Sequence, residues 1–305
     1  MKYLFLITAL LLFSGPQFQS YAQRNYPPTI EDAKEFIYKE IDGVTLKLWI
    51  FNPAKHNAGD KKPAIIFFFG GGWNGGSPTQ FVPQCEYLAA RGMVSMVADY
   101  RVFSRHQVRA NKCVSDAKSA IRWVRQNAEE LGVDPNRIAA GGGSAGGHLA
   151  AATATLPMFD EEKEDAIVSS KPNALALFNP VLILSPLDGM TKEQYERFKN
   201  LEKRLGAATE SMSPYHNVVK GLPPTIIFHG TNDTTVPYLT AEMFAKKMRK
   251  EGNRCVLVGY EGEAHGFFNY GNKSNGSFTD TVNKMDAFFV SLGYLKAPPK
   301  NIVTD

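Results

Sequence analysis

The chain has 305 residues, 44% of them hydrophobic and 21% charged, which supplies a continuous core and excludes a disordered chain. Its formal charge of +4 comes from cations scattered among acids, without the dense basic block that tracks a phosphate backbone, so nucleic acid is excluded as a partner. The three cysteines, Cys85, Cys113 and Cys255, are odd in number and lack C-x-x-C spacing, which argues for small core residues rather than a disulfide framework or a zinc site.

Met1 and Lys2 open onto an apolar run from Tyr3 to Phe13, followed by Ser14-Gly15-Pro16 and Ser20-Tyr21-Ala22. A charged start, a short apolar stretch and small residues two apart predict a signal peptide over residues 1–22, cut after about Ala22. The run falls short of the roughly 20 residues that span a bilayer, and no cysteine stands at the cut. Export to the periplasm or the medium, without a membrane anchor, is therefore expected for the domain at 23–305.

Phe36 to Phe51 alternates like a hairpin with Asp42-Gly43 at its turn. Ala64 to Phe69 is an unbroken apolar run of strand length, and Gly70-Gly71-Gly72 ends it. A strand buried on both faces reads this way. A helix is predicted over Gln80–Arg91, a strand over Met93–Ala98, and a long helix over Lys112–Leu131 with its small apolar residues on one face. Arg137 to Ala140 reads as the next strand. Gly141 to Gly147 follows, then an Ala-rich helix through Thr155. Further strands are predicted at Ala174–Leu184, Thr225–Phe228 and Arg254–Tyr260, with helices at Tyr238–Glu251 and Thr279–Leu292. The alternation predicts an α/β fold: a mostly parallel central sheet with helices on both faces. The charged stretch at about 185–214 is surplus to that alternation and reads as a small cap insert over the carboxyl edge of the sheet, where open α/β sheets bind ligands.

Gly142-Gly143-Ser144-Ala145-Gly146 matches G-x-S-x-G at a strand-to-helix junction. A nucleophile on so sharp a turn needs small neighbours, because a nearby Cβ would clash as the backbone doubles back. A serine hydroxyl also needs a base to take its proton and an acid to hold that base. On such a sheet the three follow in the order Ser, Asp, His. Asp233 lies in the loop from His229 to Pro237 after one buried strand, and His265 in the loop from Glu263 to Phe267 after the last. Both loops leave the same sheet edge as Ser144. Of the six histidines, His56, His106, His148, His216 and His229 stand before the acid, and structural roles are expected for them. Asp188, after the preceding predicted strand, is the alternative acid. Ala145 supplies one N–H to the oxyanion.

Phe69 to Trp73, Asp99-Tyr100-Arg101, Gly141 to Gly147, Gly230 to Pro237 and Glu263 to Phe267 together resemble the carboxylesterases of the α/β-hydrolase fold over nearly all of the mature chain. Bacterial acetyl-xylan and feruloyl esterases are the most similar branch. Phe69 to Trp73 resembles the H-G-G-G-W segment of such enzymes, which implies Gly71 and Gly72 as further oxyanion donors, although Phe69 replaces the histidine. Gly143 stands where another esterase branch carries Asp. The resemblance implies hydrolysis of a small ester or an acylated oligosaccharide through an acyl-enzyme, with no cofactor and no metal.

Two rival readings come from the same residues. Gly70 to Gly75 and Gly141 to Gly146 also satisfy G-x-G-x-x-G, but the first runs into Ser77-Pro78 before any helix and the second contains the placed serine. A prolyl-oligopeptidase-like peptidase would use the same triad, yet the chain has no large amino-terminal domain to gate peptides. Trp73 either stacks a substrate ring or packs the turn. Arg101, Arg105 and His106 either line the cleft or form a charged surface loop.

Overall fold

A computed structural model of the chain describes residues 26–187, 192–272 and 275–297. The expected signal peptide and Asp188 lie outside the described residues.

The chain opens with strands β1 (Lys34–Ile41) and β2 (Val44–Phe51), paired antiparallel. Asp42 and Gly43 between them both have positive φ, 52° and 74°, the backbone that a two-residue hairpin of matching twist requires. Six strands follow: β3 (Lys62–Phe68), β4 (Val94–Ala98), β5 (Val133–Gly143), β6 (Ala174–Phe178), β7 (Thr225–Gly230) and β8 (Cys255–Tyr260). They form one eight-stranded sheet in the order β1-β2-β4-β3-β5-β6-β7-β8, and every pair from β4 onward is parallel.

The unbroken apolar strands are buried on both faces, as their composition requires. Ala64, Ile66 and Phe68 of β3 join one core, while Ile65 and Phe67 join the other. Alternate residues of a strand point to opposite faces, and each fully buried Ile or Phe contributes roughly 1.5–3 kcal/mol. The first core is closed by α3 (Ala110–Gln126), α4 (Ala145–Thr155) and α7 (Tyr238–Lys250). The second is closed by α1 (Val82–Ala90), entered through a 3-10 turn at Pro78–Phe81, and by α8 (Gly276–Ser291). This is the α/β-hydrolase fold. Between β6 and β7 the expected insert holds the helices α5 (Lys192–Leu205) and α6 (Thr209–Met212), and a short turn, α2 (Phe103–His106), precedes α3.

Several boundaries differ from expectation. The strand expected to run to Leu184 ends at Phe178, because Asn179 has φ 42° and Pro180 follows with no N–H for the ladder. The long helix stops at Gln126 rather than Leu131, where the Asn127 side chain turns back to donate to the Trp123 carbonyl at 2.8 Å. Arg101 itself is buried and belongs to neither a cleft wall nor a surface loop, while Arg105 and His106 beyond it are half-buried. Arg101 is 1% exposed and grips Asp116 of α3 through two bonds of 2.8 and 2.9 Å, with Lys39 on the same carboxylate at 2.7 Å. Asp160 and Glu161 are ion-paired to Lys118 and Arg122 and to Lys39 respectively. Cys85, Cys113 and Cys255 are free and buried.

The strand order reverses at β3 and β5, and β5 sits between β3 and β6. Ligands bind such sheets outside the carboxyl ends of the strands at the reversal. The loops after β3, β5, β6, β7 and β8 all leave that edge.

Candidate active site

The loop after β5 is the junction to α4. Ser144 holds φ 54° and ψ −117°, outside the regions that a residue with a Cβ ordinarily occupies. Its N–H donates to Phe178 O at 2.8 Å and its carbonyl accepts from His148 N at 3.0 Å, which pins the turn from both sides. The turn admits no bulk: a Cβ at Gly146 would stand 2.0 Å from Phe68 O, and one at Gly143 would stand 2.5 Å from Phe268 Cζ. Gly141 to Gly143 and Ala145 to Ala150 are buried, and Ser144 alone among them is reached by solvent. Its position just before α4 places it at the free N–H groups and positive dipole end of the helix.

The loops after β7 and β8 meet through Asp233 and His265. Asp233 Oδ2 accepts the Nδ1–H of His265 at 2.7 Å. The carboxylate is wholly shielded, while the imidazole keeps 22% of its side-chain exposure. Thr235 and Val236 donate their N–H groups to Oδ1 at 2.9 and 2.8 Å, so the acid caps its own turn. Burial alone would raise the Asp233 carboxyl, but the His229 and His265 hydrogen bonds and the Val236 N–H outweigh it and hold the group well below the usual carboxylate range. With Nδ1 engaged, His265 has Nε2 available for proton transfer.

Two partners of this acid were not foreseen. Asn179 donates its side-chain Nδ2–H to Asp233 Oδ2 at 2.7 Å, and His229 Nε2 lies 3.3 Å from the same oxygen while bonding Val236 O at 2.8 Å. Because β6 ends at Phe178, the residue that directly follows this strand is the amide Asn179. The signal available in the sequence was Asn179-Pro180 at the end of an apolar run, which reads as a strand terminator.

The loop after β3 carries the glycine turn. Gly71 and Gly72 have φ 123° and 62°, backbone that favours glycine. Among the described residues none accepts a hydrogen bond from the N–H of Gly71 or Gly72. In place of the histidine of similar segments, Phe69 is buried and stacks on Tyr100 with centroids 4.1 Å apart, and Tyr100 Oη–H donates to Phe69 O at 2.7 Å. Trp73 packs the turn: it is 5% exposed and meets the His148 ring edge-on at 5.1 Å. From α5, Arg204 donates to Gly72 O at 2.7 Å and lies 5.4 Å from the Trp73 ring centroid.

The remaining histidines have structural partners. His148 bonds Met212 O, His56 bonds Leu131 O, His106 accepts from Val102 N, and His216 meets Ser213 Oγ and Pro186 O. Among the described residues there is no cluster of His, Cys, Asp and Glu suited to a metal ion, and no helix is long and apolar enough to cross a membrane.

The family model described as BD-FAE matches residues 48–248. The chain belongs to this family. A second model, the dienelactone hydrolase family, matches residues 206–291. Esterase LipC of Mycobacterium tuberculosis is 31% identical over 220 residues, covering 67% of this chain and 53% of that protein. The probable isoprenylcysteine alpha-carbonyl methylesterase ICMEL1 of Arabidopsis thaliana is 29% identical over 222 residues, covering 68% and 46%. The chain thus spans about half the length of these two relatives. Among solved structures, the propionate-bound esterase Est2 of Thermogutta terrifontis is 54% identical with a TM-score of 0.86, covering 90% of this chain and 100% of that one. The same esterase phosphorylated by paraoxon is 53% identical with a TM-score of 0.84, covering 90% and 99%. The BD-FAE member described here shares with that esterase a chain of nearly the same extent.

Proposed function

We propose that this BD-FAE member is a serine carboxylic-ester hydrolase acting through an acyl-enzyme. The observation that carries the reading is the 2.7 Å bond from His265 Nδ1 to the buried, ionised Asp233, on the sheet edge where Ser144 stands in its strained turn. In the first half-reaction His265 Nε2 takes the Ser144 hydroxyl proton as Oγ attacks the ester carbonyl. Asp233 keeps the imidazole in the required tautomer and stabilises the imidazolium that forms. The N–H groups of Gly71, Gly72 and Ala145 receive the oxyanion. His265 then returns the proton to the leaving alcohol, and a water molecule repeats the sequence to release the acid.

The substrate proposed is an acetyl or feruloyl ester on a plant polysaccharide or its oligosaccharides, met outside the cytoplasm. The resemblance of the motifs to acetyl-xylan and feruloyl esterases supports this reading, and the signal-like start of the sequence supports export. A second reading, a general short-chain carboxylesterase, is favoured by the propionate- and butyrate-bound structures of the Thermogutta terrifontis esterase. The deciding measurement is kcat/KM on acetylated xylo-oligosaccharides, methyl ferulate, and acetyl and octanoyl p-nitrophenyl esters, with Ser144→Ala as the control. That variant should lose on the order of 10⁴ to 10⁶ in kcat. Turnover surviving it would overturn the serine mechanism, and indifference to the saccharide would leave the general esterase.

A further inference from the structure

Gly70 opens the glycine turn and lies against the nucleophile: a Cβ added to it would stand 3.1 Å from Gly143 O and 3.4 Å from Ser144 Cβ. Its N–H donates to Gln80 Oε1 at 2.6 Å. The other end of that amide, Nε2–H, donates to Asn269 Oδ1 at 2.9 Å. Asn269 in turn donates Nδ2–H to Gly266 O at 2.9 Å, beside His265. Gly266 O also receives Asn269 N at 3.1 Å and Asn272 Nδ2 at 2.7 Å.

The polarity of this chain is fixed at both ends. A backbone N–H can only donate and a carbonyl can only accept, so the two amides between them have one consistent orientation. Only a side chain with an acceptor at one end and a donor at the other serves at position 80. A carboxylate lacks the donor, and an apolar residue leaves the Gly70 N–H unsatisfied. The strands that carry the two loops, β3 and β8, are separated in the sheet by β5, β6 and β7, so no strand pairing relates the two loops. The amides span that gap over the edge where Ser144 stands.

We propose that Gln80 and Asn269 are positioning residues: a two-amide bridge that holds the oxyanion turn at Gly70 and the histidine loop at Gly266 in register across Ser144. This rests on reading Ser144 and His265 as the ester-cleaving pair. The oxyanion donors and the imidazolium act on opposite ends of one transition state, so their relative placement governs the chemical step more than substrate binding. A misplacement of about 1 Å costs up to about 10²-fold in rate.

The test is a double-variant cycle in the full chain. Gln80→Glu and Asn269→Asp keep side-chain shape and break one link each, while Gln80→Leu and Asn269→Leu remove the bridge outright. Each single variant should lower kcat on p-nitrophenyl acetate about tenfold, with KM changed by less than about twofold. The rate of phosphorylation by paraoxon should fall in proportion. The double variant should lose no more than the worse single one, because both break the same bridge. Unchanged kcat with only a lower Tm would assign the amides to the fold and overturn the proposal, as would losses that simply multiply. Wild-type turnover is measured alongside. Its absence would remove the esterase reading and the bridge with it, whereas normal wild-type turnover with unimpaired variants would remove the bridge alone.

Discussion

The side-chain amide of Asn179 and the carboxylate of Asp233 are 2.7 Å apart, and the oxygen they share is the one that holds His265. The residue that follows β6 therefore acts on the acid that follows β7. Asn179→Leu should lower kcat about tenfold, since a hydrogen bond to a charged group contributes roughly 1.5–3 kcal/mol and its loss frees the carboxylate to turn. Asn179→Asp should do something different. Two carboxylates at this distance cannot both ionise readily, so the pair retains a proton to higher pH. The acid limb of its kcat–pH profile should move to higher pH than that of the wild type, and an unmoved limb would show that Asn179 is not electrically coupled to the acid.

The backbone of Ser144 predicts a trade between stability and activity. Non-glycine residues held in such conformations cost of order 1–3 kcal/mol, part of which glycine recovers after its own entropy cost. Ser144→Gly should therefore unfold at higher urea than wild type, by about 1 kcal/mol, while losing activity as Ser144→Ala does. Ser144→Ala keeps the Cβ and should show no such gain. Equal stability of the two variants would mean that the elbow stores no strain.

Gly143 differs from the Asp found there in another esterase branch, and the aromatic cluster behind it gives the reason. The Phe268 ring fills the space that a side chain would need, and a Cβ there would also stand 3.3 Å from Phe81 Cζ. Gly143→Ala should destabilise the fold by about 1–3 kcal/mol through overpacking, read as a lower Tm. Adding Phe268→Leu should recover part of that loss. Additive losses in the double variant would show that the two positions do not compete for one space.

Two buried groups give stability opposite dependences on pH. Burial pushes His148 down to about 4, below an unfolded value of about 6.5. The stability it contributes is complete above that unfolded value and is lost as pH falls toward 4. Burial, outweighing hydrogen bonds from Tyr26 and Tyr100 N–H and the charge of Arg105, pushes Asp99 up to about 6, above an unfolded value of about 3.9. Its contribution is complete below that value and is lost as pH rises through 6. Between pH 4 and 6 the two oppose each other. His148→Gln should make urea stability rise on acidification from pH 6.5 to 4.5, and Asp99→Asn should make it fall more steeply than in wild type. Identical slopes in all three proteins would contradict both assignments.

The sequence made the elbow, the acid loop and the histidine loop legible for a local reason: each is a short run of small or turn-forming residues after an apolar strand. The parallel sheet was legible in the strands that lack alternation. Asn179, Gln80 and Asn269 were not legible, because each acts through a partner distant in the chain. Gln80 looks like an ordinary polar residue at a helix start, and only the fold brings it to Asn269. The error at β6 had a similar origin. Val181-Leu182-Ile183-Leu184 continues the apolar run of the strand, so hydrophobicity alone could not show that Asn179-Pro180 ends the ladder and sends the remaining apolar residues into the core by an irregular path. Arg101 and Asp116 were missed because a buried ion pair is written in the same letters as a solvated surface.

The reach of Arg204 to the carbonyl of Gly72 has a consequence for how such an enzyme can diversify. The glycine turn belongs to the sheet, whereas Arg204 belongs to the segment between β6 and β7, which lies outside the alternation that builds the sheet. One guanidinium is thus the grip by which that segment acts on the peptide next to the proposed oxyanion donors. The segment also buries Phe198, Leu201, Leu205 and Met212 in the core, so a change confined to Arg204 leaves that packing in place and releases one peptide group. Variation at Arg204 is therefore expected to show in turnover, whereas variation at the buried residues of the segment is expected to show in folding.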